Sequence, residues 1–303
     1  LAAGDEVAVK FLRPELLDDE KAQARLFAEG EVGQALHHPN VAEIYGVETI
    51  ELLGVTTSYL VMEYIAGTTL RDFLARSGAP VEDLTRRLGA DAAKGLSALH
   101  RRGLVHRDVK PENLILTPQS ELKIVDLGLA KPFGARGSGS GGSPGSGSGS
   151  DSPSPGVPSS GGASPDGSSD ARPTSGRGGS SPRGSGSRGG LQLAGSLAYS
   201  APEVLRGEPA SPRSDLYALG IVLFEVTTGR HPFADATAPD TMIAAQLNDL
   251  PPRASHLRPR VSPFLDQLLC DLLQKEPDQR PRDASELARI LEQGERSEYW
   301  RRY

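Results

Sequence analysis

The chain has 303 residues, a formal net charge of −6 and one cysteine. The acidic balance lacks the basic footprint of a nucleic-acid binder, a lone Cys270 excludes an internal disulfide framework, and no apolar run reaches the ~20 residues of a bilayer span. No signal peptide is visible, and the opening at Leu1, running at once into VAVKFL, is read as the start of a fragment of a longer chain.

Val7 to Leu12 alternates like a strand. Residues from about Asp18 to Leu36 have a helical mix, weakened at Gly30 and Gly33 by about 1 kcal/mol each against Ala. SYLVMEYI, Ser58 to Ile65, is a near-continuous apolar run of strand length. After Pro80, Leu84, Leu88, Leu96 and Leu99 share one helical face, and Gly103 is placed to end that helix. NLIL and ELKIVD read as two short strands joined by TPQS, a hairpin.

From Gly134 to Gly190 there is no aromatic residue, and Val157 is the one sizeable aliphatic side chain. Such a segment cannot offset its ordering entropy, so disorder is expected, leaving about 245 residues to fold. Beyond it, SDLYALGIVLFEVTTG is apolar almost all round and predicts a buried helix with Ser214 as N-cap and Gly229 as stop. SPFLDQLLCDLLQK is amphipathic, with Cys270 read as a buried structural thiol. DASELARILEQ opens with Asp283 and Glu286 at capping-box-like spacing. There is no internal repeat. Strands plus one helix, then mostly helices, predict an α+β protein with a small sheet-rich lobe and a larger helical one.

The chemistry concentrates in VHRDVKPENLIL, Val105 to Leu116, which puts Asp108, Lys110 and Asn113 on one loop between a helix and a hairpin. Downstream, VDLGLA sets Asp126 before Leu127 and Gly128. Phosphoryl transfer needs divalent ions on phosphate oxygens, a cation on the moving group and a carboxylate to orient the attacking hydroxyl. Asp126 and Asn113 offer hard oxygens suited to Mg²⁺, Asp108 a base, and Lys110 a positive charge.

These residues resemble a protein kinase catalytic domain, specifically the eukaryotic-like Ser/Thr kinases of bacteria, from Val7 to about Leu291. The resemblance implies a bilobal fold with an incomplete sheet-rich N-lobe. It assigns residues 1–293 to the kinase domain, with 1–63 as partial N-lobe, 64–293 as C-lobe and 134–190 as a disordered insertion in the activation segment; 294–303 is a tail. In VAVK, Lys10 holds the α and β phosphates of ATP. Asp108 is the base, Asn113 binds the second metal, and Asp126 belongs to the DLG metal-binding triplet. Glu29 falls where the family pairs a glutamate with the lysine, with Glu31 the runner-up. Ala8, Met62, Glu63, Ile65 and Ile115 line the adenine pocket, Met62 as gatekeeper and Glu63 and Ile65 through backbone groups.

SAPE ends the activation segment. Lys110 and Ser196 follow the Ser/Thr pattern, Ser196 bonding base and lysine, although an ordinary turn serine is the alternative. Arg107 holds an activation-segment phosphate, or merely bonds local carbonyls. The resemblance further implies that Asp215 braces the catalytic loop and that Arg280 pairs with Glu203, both structural roles. Alone, VAVK is a common strand, DLG or APE carries little, and Asp-x-Lys-x-x-Asn is a polar turn. The resemblance rests on their order and spacing together.

What this implies is an ATP-dependent Ser/Thr kinase using Mg²⁺, with Mn²⁺ as a substitute, acting on proteins bearing serine or threonine. It implies no nucleic-acid partner, admits a homodimer for autophosphorylation in trans, and expects a cytoplasmic domain whose parent reaches a membrane only through flanking regions. A pseudokinase scaffold on the same fold is the alternative; a small-molecule phosphotransferase would lack the APE region. The Gly-rich loop would precede Leu1, so the sequence predicts weak ATP binding and poor turnover. Gly33, one turn after Glu29, predicts a loosely held helix. Arg172, Arg177, Arg183 and Arg188 intersperse candidate autophosphorylation serines, with a neutral insertion the competing reading.

Overall fold

β-branched alternation in VAVKF makes β1 (Val7–Phe11) the edge of an antiparallel sheet in a computed structural model describing residues 6–12, 14–17, 19–52, 55–127, 130–132 and 196–303. The sheet runs β1-β3-β2, with β2 at Ile44–Leu52 and β3 at Val55–Glu63. The expected strand from Ser58 to Ile65 therefore starts earlier and stops at Glu63. β2, which the sequence reading did not single out, carries a register shift between Ile44 and Gly46. That bulge interrupts the period-two pattern by which a strand is recognised.

Against this sheet lies α1 (Glu20–Gln34), capped by Asp19, whose side chain accepts from the Lys21 amide at 2.9 Å. Its buried face is Ala22, Leu26, Glu29, Gly30 and Gly33. The two glycines expected to leave this helix loosely held both face β2. A Cβ on Gly33 would lie 2.2 Å from Ile44 Cδ1 and 2.7 Å from Ile44 Cβ, and one on Gly30 would lie 2.4 Å from Val47 Cγ2. The absent side chains are thus replaced by β2 side chains seated against the helix backbone. Close packing offsets the intrinsic cost of two helical glycines.

The larger lobe begins after β3. Thr69 caps α2 (Leu70–Ser77), following the two-residue β4 (Thr68–Thr69), another pair that the sequence pattern did not reveal. α3 (Glu82–His100) buries Leu88, Leu96 and Leu99, while Leu84 lies only partly buried beside them. β5 (Leu104–Val105) leads into the loop carrying Asp108. The hairpin is β6 (Leu114–Leu116) with β7 (Leu122–Ile124), completing a sheet ordered β4-β6-β7. β8 (Lys131–Pro132) pairs antiparallel with β5.

The chain then gives α4 (Pro202–Leu205) and α5 (Pro212–Thr228). Every residue of α5 from Ser214 to Thr227 is buried, as its all-round apolarity predicts. Its start differs from expectation: Pro212 occupies the first turn and Ser211 is the N-cap, since proline's missing N–H costs nothing there. Ser214 instead accepts from the Ser211 amide at 3.0 Å and donates to Glu203 at 2.7 Å. Gly229 ends the helix at φ 77°, a conformation that disfavours a side chain.

α6 (Pro239–Asn248), α7 (Ala254–Leu257), α8 (Pro263–Leu272) and α9 (Ala284–Gln293) complete the lobe. Asp283 caps α9, accepting from Glu286 N at 2.7 Å. Tyr217, Phe224 and Phe264 anchor its core. Cys270 is only half-buried on α8, a correction to the buried thiol expected, because it flanks the apolar stripe; partial burial still pushes its thiol upward. Residues 294–303 return onto α8: Tyr299 and Trp300 meet the Phe264 ring edge-on, and the Tyr299 and Tyr303 hydroxyls each donate to Asp271 at 2.6 Å.

The two-lobed α+β architecture agrees with the sequence pattern. The insertion expected at 134–190, like Gly128, lies outside the described residues. Among the described residues no helix is long and apolar enough to cross a membrane.

Candidate active site

β1 faces β3 so that Lys10 lies opposite Leu60 and Ala8 opposite Met62. Lys10 Nζ donates to Glu29 Oε2 at 2.9 Å and Oε1 at 3.0 Å, and to Asp126 Oδ1 at 2.7 Å. Burial works against the ammonium charge, but the carboxylates of Asp126 and Glu29 outweigh it and hold Lys10 above the ordinary lysine range. Burial pushes the Glu29 carboxyl up while Lys10 pulls it down. With two hydrogen bonds from the ammonium, we take the pair as ionised. Glu31, on the same helix, is exposed.

The loop 106–113 is held from below. Asp215, 1% exposed on α5, accepts from the backbone amides of His106 and Arg107, each at 2.9 Å, and meets His100 Nε2 at 2.8 Å. Arg107 takes φ 70° and Asp126 φ 64°, left-handed conformations that cost of order 1–3 kcal/mol unless surroundings impose them. His106 is wholly buried, and burial lowers its pKa, so the ring is neutral at pH 7. Its Nδ1 accepts from the Asp108 amide at 3.2 Å.

On this loop Asp108 Oδ2 receives Lys110 Nζ at 2.6 Å and Asn113 Nδ2 at 2.9 Å; Oδ1 receives the Ser196 hydroxyl at 3.0 Å. Lys110 also reaches Ser196 Oγ at 3.2 Å. Asn113 Nδ2 donates a second bond to the Asp108 carbonyl at 2.8 Å, so its amide oxygen is the side chain's acceptor. That oxygen and the Asp126 carboxylate, 43% exposed, are each hard oxygens of the kind a small divalent cation takes.

Ile115 lies opposite Thr69 in the β4–β6 pair, and Ile65 sits in the link between β3 and β4. The Glu63 amide donates to Glu43 O at 2.8 Å, while its carboxylate pairs with Lys123 and accepts from the Glu43 amide at 3.1 Å. Arg107 meets Asp215 through its backbone amide and through the charge of its guanidinium, while its buried Nε has no hydrogen-bond partner among the described residues.

Arg280 makes a bidentate pair with Glu203, both contacts 2.8 Å, and donates to the carbonyls of Gln274, Lys275 and Arg213. All five of its N–H groups are used. Burial alone would raise Glu203, yet Arg280 and Ser214 hold its carboxyl below the ordinary value.

Other site residues escaped the sequence reading. Arg71 on α2 donates to Glu112 at 2.8 Å, to the Tyr199 hydroxyl at 2.5 Å and to Glu225, while Tyr199 donates to Glu225 at 2.7 Å. Glu225, set in the apolar run that follows Asp215 on α5, was the available signal, since a buried carboxylate requires partners.

The model of the protein kinase domain family matches residues 1–142 and 180–291. The serine/threonine-protein kinase drp72 of Corynebacterium efficiens is 33% identical over 287 residues, covering 94% of this chain and 45% of that protein. PknB of Mycobacterium tuberculosis, a serine/threonine-protein kinase, is 29% identical over 283 residues, covering 93% of this chain and 37% of its own. The chain spans less than half the length of these relatives. With its lobes, catalytic loop and ion pairs arranged as described, the chain belongs to the protein kinase domain family.

Proposed function

We propose that this domain transfers the γ-phosphoryl group of ATP to serine or threonine hydroxyls of proteins. The observation carrying this reading is the Asp108 carboxylate, oriented by Lys110, Asn113 and Ser196. Held there, Asp108 accepts the proton of an incoming hydroxyl while the Lys110 ammonium faces the transferring group. Lys10, steadied by Glu29, binds the α and β phosphates, and Ala8, Met62, Glu63, Ile65 and Ile115 receive adenine. Asn113 and Asp126 would hold Mg²⁺, or Mn²⁺ in its place, which when bound neutralises charge on the phosphate oxygens. Names of relatives sharing 29–33% identity with the chain support the serine/threonine assignment.

We further infer that 134–190 is an insertion in the activation segment, supported by a family match that breaks after residue 142 and resumes at 180. Arg107 Nε, without a hydrogen-bond partner among the described residues, supports a role in holding a phosphate on that segment.

Incubation with radiolabelled ATP, Mg²⁺ and a generic Ser/Thr protein acceptor tests the enzyme reading. Asp108→Asn is expected to lower transfer by about 10²-fold or more, as loss of a general base does. In an N-terminally extended protein that supplies the Gly-rich loop, transfer no greater than by its Asp108→Asn variant would leave only a binding module.

A further inference from the structure

The segment 196–201 carries Ser196 at its start, and its backbone must be fixed for that hydroxyl to stay on Asp108. Its own turns account for two carbonyls: Ser196 O accepts from Tyr199 N at 3.2 Å, and Leu197 O from Ser200 N at 3.1 Å. Ala198 O is served instead by two side chains from distant elements. His231, three residues past the end of α5, donates to it from Nε2 at 2.9 Å, and Gln246 of α6 donates to it through Nε2. A carbonyl has two lone pairs, and both are engaged.

Each donor is itself fixed. His231 Nδ1 accepts from the Phe233 amide at 3.1 Å, so the ring proton must lie on Nε2, pointing at Ala198. Burial lowers the His231 pKa and keeps that ring neutral. Gln246 is wholly buried; its Oε1 accepts from the Tyr217 hydroxyl at 2.5 Å, which orients the amide so that nitrogen faces Ala198. Lys275 Nζ donates to the Gln246 carbonyl at 2.8 Å and holds the end of α6. Beside them the Tyr199 ring stands edge-on to His231, centroids 5.6 Å apart.

We propose that His231 and Gln246 are positioning residues for the protein substrate: clamping the Ala198 carbonyl, they fix the backbone that follows Ser196, against which the acceptor's chain lies. The inference rests on the kinase reading for the last clause only. Among the described residues, the hydrogen bonds of these two side chains go to Ala198, Phe233 and Tyr217. The clamp therefore acts on the acceptor side of the reaction and leaves nucleotide binding alone.

Two measurements on the full chain separate the clamp from the enzyme reading. In amide hydrogen exchange, His231→Ala and Gln246→Glu should each speed exchange in 197–201 by about tenfold, the loss of one buried hydrogen bond, with the α3 and α5 amides unchanged. His231→Gln, which keeps a donor near the Nε2 position, should restore the slow rate. In steady-state transfer, the first two variants should raise the KM for a Ser/Thr peptide about tenfold with the ATP KM within about twofold, and His231→Gln should again recover. Unchanged exchange in 197–201, or a variant that shifts both KM values together, overturns the proposal. If the N-terminally extended protein transfers no phosphate above its Asp108→Asn variant, the kinase reading falls and the exchange result alone decides the clamp.

Discussion

Glu203 and Arg280 show how a residue pair can matter to stability without touching the chemistry. Both side chains are almost wholly buried, and every guanidinium proton is satisfied. Removing one partner strands the other charge, so Glu203→Gln should cost about 3–5 kcal/mol at neutral pH in urea unfolding. The folded carboxyl lies below its ordinary value of 4.5, so its contribution is present above that pH and lost as pH falls through the depressed value. The gap between natural chain and Glu203→Gln should accordingly narrow on acidification below 4.5; a gap independent of pH would contradict the ionised pair. This pair, like Lys10 with Glu29, could be named in advance because the resemblance to the kinase family places each residue in, or by counting from, a short motif. His231, Gln246 and Arg71 could not. Their partners lie 33, 48 and up to 154 residues away, and no local pattern encodes such a contact.

At the scale of elements, α1 departs furthest from what its sequence suggests. Taken alone, two interior glycines describe a weak helix; packed on β2, they describe a close one. The two positions are not equivalent. A Cβ on Gly33 would strike Ile44 at its own Cβ, whereas one on Gly30 meets chiefly Val47 Cγ2, the end of a side chain. Gly→Ala gains about 1 kcal/mol of helix propensity, and overpacking costs about 1–3 kcal/mol. Gly33→Ala should therefore destabilise the protein by about 1–2 kcal/mol and Gly30→Ala by markedly less, measured as urea midpoints. The reverse order would mean that β2 yields more easily than its packing suggests. β2 and α2 escaped the sequence reading for physical reasons: Gly46 sits at a register shift, and α2 has only eight residues after a threonine cap. The long helices α3 and α5 were legible because uninterrupted burial leaves a long signature.

For the whole molecule, the two lobes meet where the chain after α1 joins the hairpin. Ala42 N donates to Ile124 O at 2.8 Å, Ile124 N to Asn40 O at 2.9 Å, and Asn40 Nδ2 to Leu122 O at 2.9 Å. Asp126 follows two residues later, so the same junction that couples the lobes carries the carboxylate that meets Lys10. Replacing Gly137 to Arg188 by about six residues shortens the stretch between β8 and Ser196 roughly fourfold. Closure entropy then predicts a gain of about 1 kcal/mol in stability, with phosphate transfer to a generic acceptor within about twofold of the natural chain. A collapse of transfer would assign the stretch a regulatory part, which its composition alone does not require.

The pairing of β8 with β5 bears on the length of the stretch that follows it. Lys131 and Pro132 are stitched to Val105 and Leu104, three residues before Asp108, and the chain is next described at Ser196, whose hydroxyl touches Asp108 itself. Departure and return are each moored to the same few residues. A change of length between those moorings is therefore expected to leave Ser196 on Asp108, the outcome that the shortened chain tests.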